Sequence, residues 1–103
     1  MNFSTDWFQD QLLDRFVRYA CIFTTSDRHV DTIPSTPGQW DLLNLLVEEL
    51  REIGIDDIDL TEKGFLIARI PAATGKENAP VIGFMAHVDT VSDASGENVK
   101  PRI

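Results

Sequence analysis

The sequence predicts an α/β fold that is incomplete as it stands, in the order helix-helix-strand-strand-strand. Three observations carry this. Apolar residues recur at helical spacing in two stretches of the first half, 5–23 and 37–53. The period then changes to two around Ile58 and Leu60 and again from Phe65 to Ile70. Last comes Val81-Ile82-Gly83-Phe84-Met85-Ala86, an uncharged apolar run that stops abruptly at His87-Val88-Asp89. A strand buried on both faces reads as such a run.

The first helix rests on Phe8, Leu12, Leu13, Phe16, Val17 and Ala20, with Asp6 and Gln9 as a capping box. A polar loop, 24–36, follows and carries Asp27, His29 and Asp31. The second helix has the better punctuation. Thr36 is a good N-cap, Pro37 suits the first helical position, and Gln39 completes a Thr-x-x-Gln box. Its expected buried stripe is Leu43, Leu46, Val47, Leu50 and Ile53. Gly54 can then take the left-handed position after the helix, with Ile55 folding back on Leu50. Glu62-Lys63-Gly64 reads as the turn of a hairpin between the first two strands, and 71–80 as a loop.

Strand 81–86 expects neighbours and a helical layer on each face, and two helices are few for that. Residues 1–103 therefore read as a single partial domain, its sheet mixed and unfinished. An exposed apolar strand is a template for pairing, so self-association, as a homodimer, is expected.

Seventeen acidic against nine basic side chains give a net charge of −8. That balance argues against nucleic acid and against anionic membranes as partners. No apolar segment reads as a signal peptide or a membrane span, which makes the cytoplasm the expected compartment. Cys21 is the one cysteine, so no internal disulfide is possible, and it reads as a buried, inert thiol. Trp7 and Trp40, at the helix starts, read as aromatic anchors against the core.

The chemistry concentrates at His87 and Asp89. In open α/β sheets ligands bind just outside the carboxyl ends of strands, where both residues fall. An imidazole there can bind a metal through one ring nitrogen. A carboxylate two residues on can accept the proton of the other nitrogen and fix tautomer and ring orientation. The trio Asp27, His29 and Asp31 reads instead as a solvated loop.

The segment GFMAHVDTVSDASGENVKP, residues 83–101, resembles the first metal-binding segment of the tripeptide aminopeptidases in the dinuclear-zinc M20 metallopeptidase clan. Pro34-Ser35-Thr36-Pro37-Gly38-Gln39-Trp40, Leu60-Thr61-Glu62-Lys63-Gly64 and Ile70-Pro71-Ala72 resemble it in the same order. The likeness spans roughly residues 12–103. It implies that this chain is the N-terminal part of a metallopeptidase catalytic domain. It implies that His87 is a ligand to one of two zinc ions. Asp89 would be the orienting carboxylate that the family counts among its catalytic residues. The substrate would be a small peptide cleaved at its N-terminal bond. The other ligands and the general-base glutamate are expected beyond Ile103, so the chain alone should be inactive. Two alternatives stand beside this reading. One is another M20-type deacylase or carboxypeptidase. The other is a non-catalytic fragment that self-associates or binds a partner.

Overall fold

The computed structural model describes residues 3–103. Its elements are helix α1 (Thr5–Ala20), helix α2 (Pro37–Glu52), and strands β1 (Asp57–Leu60) and β2 (Leu66–Arg69). The α/β class and the unfinished sheet are as expected, but the third strand is absent. The sheet has two strands, paired antiparallel with Asp57 opposite Arg69 and Leu60 opposite Leu66. Residues 81–86 form no strand, and Val81, Phe84 and Met85 stand at least 96% exposed. The run has the composition of a central strand. A strand exists only with a partner, however, and none of the described residues pairs with it.

α1 is shorter than expected and capped differently. Its N-cap is Ser4, whose side chain accepts from Trp7 N, and Asp6 instead lies in the first turn. The expected buried stripe is not buried: Phe8, Leu12 and Phe16 are exposed, and the helix holds no buried residue. Trp7 does not anchor in the core but stacks on Phe3, with Phe8 edge-on. Trp40 is half-buried.

α2 carries the core, made of Leu42 and Leu43, with Leu46, Val47 and Leu50 half-buried. Ile53 lies outside the stripe and is exposed. The helix ends as expected. Gly54 has φ +90°, its N–H bonds Arg51 O, and Ile55 N reaches Leu50 O at 2.9 Å, which together close a Schellman motif. The start differs, since Thr36 makes no side-chain cap bond. Its hydroxyl donates to Thr25 O at 2.9 Å. Gln39 is buried, accepts from Ser35 N, and donates to Thr24 O and Ser35 Oγ. The pair thus fastens α2 to the 24–36 loop instead of closing a box. Gly38 makes that approach possible, because a Cβ there would lie 1.6 Å from Phe23 O.

α1 meets α2 through charge. Glu49, buried, takes hydrogen bonds from Arg18 and from the Tyr19 hydroxyl, and Arg15 lies 3.5 Å away. The molecule is open for its size. Its radius of gyration is 16.4 Å, where a compact chain of this length has about 13 Å. Among the described residues no helix is long and apolar enough to cross a membrane.

Candidate metal centre

His87 and Asp89 are placed by Thr90. Thr90 and Thr25 form an isolated parallel bridge. Thr90 N donates to Thr24 O at 3.3 Å, and Thr90 O accepts from Ser26 N at 3.0 Å and from Ser26 Oγ at 3.1 Å. The two threonine hydroxyls are 3.1 Å apart. Thr24 is buried, so the segment behind the His-x-Asp docks on backbone that α2 already holds through Gln39.

The His87 ring turns back on Asp89. Its Nδ1 lies 2.7 Å from Asp89 O and 3.1 Å from Asp89 Oδ1. Both partners are acceptors, so Nδ1 carries the proton and donates. Nε2 is then the nitrogen with a free lone pair, the state in which a neutral imidazole binds a metal. The pair is open to solvent, with the His87 side chain 81% exposed and that of Asp89 46%.

No further ligand joins them. Among the described residues there is no group of three or more His, Cys, Asp or Glu that could hold a metal ion. His29 sits in a local turn, its backbone N–H bonded to Asp27 Oδ1. A cleft of about 420 Å³ does lie between the 24–36 loop and the residues after Thr90, lined among others by Phe23, Asp27, His29, Thr36 and Asp93. Neither His87 nor Asp89 lines it, so cleft and ligand pair are adjacent rather than shared. Cys21 is exposed at the end of α1, not buried, with Sγ 3.8 Å from Val99 O. The docking residues Thr25 and Thr90 were missed from sequence. Their one signal there is the position of Thr90 directly behind the His-x-Asp.

No protein-family model matches the chain. It is similar to curated proteins named peptidase T. The one from Bacillus mycoides (strain KBAB4) is 50% identical over 95 residues, which is 92% of this chain and 23% of that protein. Those from Geobacillus sp. (strain WCH70) and Geobacillus kaustophilus (strain HTA426) are 46% and 47% identical over the same shares. The chain thus spans about a quarter of the length of the relatives it matches. Over 95 aligned residues, half of them identical to the Bacillus mycoides protein, the chain is homologous to about a quarter of peptidase T.

Proposed function

We propose that this chain supplies one zinc ligand, His87, and its orienting carboxylate, Asp89, to an M20-type dizinc aminopeptidase of the cytoplasm that removes the N-terminal residue of tripeptides. The observation that carries the reading is the His87–Asp89 contact. Nδ1 is engaged at 2.7 and 3.1 Å, which leaves Nε2 as the donor atom. The likeness to peptidase T supports the reaction class. The residues present fit one ligand's share of such a centre. His87 Nε2 would hold the ion, and Asp89 would keep the ring in the ligating tautomer and raise its basicity. Zinc bound there supplies Lewis acidity to the scissile carbonyl and to the attacking water. Zinc sites use three or four protein ligands, so one histidine cannot hold the ion tightly. The 103-residue chain by itself is therefore inactive.

Grafting tests this reading. Residues 12–103 replace the matching segment of the Bacillus mycoides peptidase T, and the chimera is assayed on a tripeptide. Turnover is expected. His87→Ala should abolish it and lower the zinc content measured by elemental analysis. Asp89→Ala should retain more zinc and lose about 10–100-fold in metal affinity or activity. Unchanged turnover in His87→Ala would contradict the assignment. The chain alone, with tripeptide and excess zinc, should show no turnover that His87→Ala removes.

A further inference from the structure

An unbroken line of hydrogen bonds runs from the core to His87. Gln39, buried in the first turn of α2, donates from Nε2 to Thr24 O at 3.3 Å. The same carbonyl accepts from Thr90 N at 3.3 Å, one bond for each of its lone pairs. Thr90 N and Asp89 O belong to one peptide unit, and Asp89 O lies 2.7 Å from His87 Nδ1. That unit is trans and planar, so its N–H and C=O point opposite ways. Turning the N–H toward Thr24 therefore turns the carbonyl toward the imidazole. Each bond in such a line polarises the next, which strengthens the acceptor that faces Nδ1.

Thr25 keeps the two segments in register. Its carbonyl takes the Thr36 hydroxyl at 2.9 Å, and its own hydroxyl meets that of Thr90 at 3.1 Å. Gly96 closes over this pair so tightly that an added Cβ would lie 2.6 Å from Thr25 Oγ1 and 3.2 Å from Thr90 Oγ1. The main-chain acceptor is also the nearer one, since the Asp89 carboxylate stands 3.1 Å from Nδ1.

We propose that Gln39 and Thr25 are positioning residues for His87. Through the Asp89–Thr90 peptide they keep the proton on Nδ1 and leave the Nε2 lone pair free for a metal. The Asp89 carboxylate is then a second acceptor for a proton that the main chain already holds. The use of this tautomer for zinc rests on the reading of His87 as a ligand, but the tautomer itself needs no metal.

Nitrogen-15 NMR of the imidazole rings tests this on the metal-free 103-residue chain at about pH 8.5, where imidazole is neutral. His87 is expected in the Nδ1–H form. Thr25→Val should move it toward the Nε2–H form that a free side chain prefers. The same variant should quicken exchange of the Thr90 amide about 2–10-fold, the loss of one net hydrogen bond. Thr25→Ser should restore both. Gln39→Leu should act as Thr25→Val does, and Asp89→Ala, which keeps the carbonyl, should remain mainly Nδ1–H. Circular dichroism follows the helices, and Thr25→Val decides the matter should Gln39→Leu unfold α2. A parent chain in the Nε2–H form overturns the proposal. So does a tautomer that Thr25→Val leaves unchanged, whether or not exchange quickens. Conversion by Asp89→Ala alone overturns it in favour of the carboxylate. Turnover of His87→Ala in the chimera decides the zinc reading separately, because the tautomer is observed without metal.

Discussion

Tyr19 is the chain's single tyrosine, and its surroundings hold its proton. Burial raises the phenol first, and the hydrogen bond to the Glu49 carboxylate raises it further, so it is pushed from 10.0 up to about 12. The folded value lies above the unfolded one. Its contribution to stability is therefore fully present below pH 10.0 and is lost as pH rises through about 12. Tyrosinate absorbance of the native chain should rise with a midpoint near 12. In Glu49→Ala the midpoint should fall part way back, because burial remains when the acceptor is gone. A native midpoint at 10.0 would show the hydroxyl to be free in water. At this scale the contact between His87 and Asp89 was legible from sequence. Two residues apart at the end of an apolar run, their side chains can meet whatever the distant fold does. The docking of Thr90 on Thr24–Ser26 was not legible, because a contact between hydroxyls 65 residues apart leaves no local pattern.

The two ends of α2 show where element-scale reading works. The Schellman ending closes between Leu50 and Ile55, within six residues, and it formed as the glycine and the flanking apolar residues indicate. The start failed as a box because Thr25 O, eleven residues away, took the Thr36 hydroxyl. α1 failed more broadly. Helical spacing of Phe8, Leu12 and Phe16 specifies a face and says nothing of what covers it. Run 81–86 is the same case for a strand. The glycines at the ends of α2 should respond differently to substitution. Gly54 sits at φ +90° with nothing within 4 Å of an added Cβ, so Gly54→Ala costs only the left-handed backbone, about 1–2 kcal/mol, and Gly54→Asn less. Gly38 has ordinary backbone, but an added Cβ would lie 1.6 Å from Phe23 O. Gly38→Ala should therefore cost at least as much, about 1–3 kcal/mol, and Gly38→Asn should recover nothing. Urea unfolding of the four variants checks this, and equal responses to alanine and asparagine at both sites would contradict it.

Over the whole molecule, α1 is attached by ions more than by packing. Burial alone would raise Glu49, but the Tyr19 and Arg18 hydrogen bonds, with the charges of Arg18 and Arg15, bring it below 4.5. Its folded value is below the unfolded one. The attachment is thus present above pH 4.5 and is lost as pH falls through the folded value. Acid should release α1 before α2. Amide exchange followed down the pH scale should lose the protection of residues 5–20 while 37–52 still hold, after correction for the intrinsic rates. Glu49→Ala should reproduce the acid state at neutral pH, costing about 1–3 kcal/mol, since it leaves the hydroxyl and guanidinium groups around it without their acceptor. Simultaneous loss of both helices would show that apolar contact, not Glu49, joins them.

The bridge at Thr90 has an entropic consequence. Between the end of β2 at Arg69 and Thr90 runs a loop of about twenty residues that, among the described residues, no hydrogen bond ties to the helices or the sheet. Closing a loop of that length costs about 3 kcal/mol in chain entropy. Against it stand a few solvent-exposed hydrogen bonds worth about 0.5–1.5 kcal/mol each. The latch is nearly balanced. His87 lies just before it, so whatever grips the loop at 81–86 shortens the free tether and raises the fraction of time the imidazole is held beside the 24–36 loop.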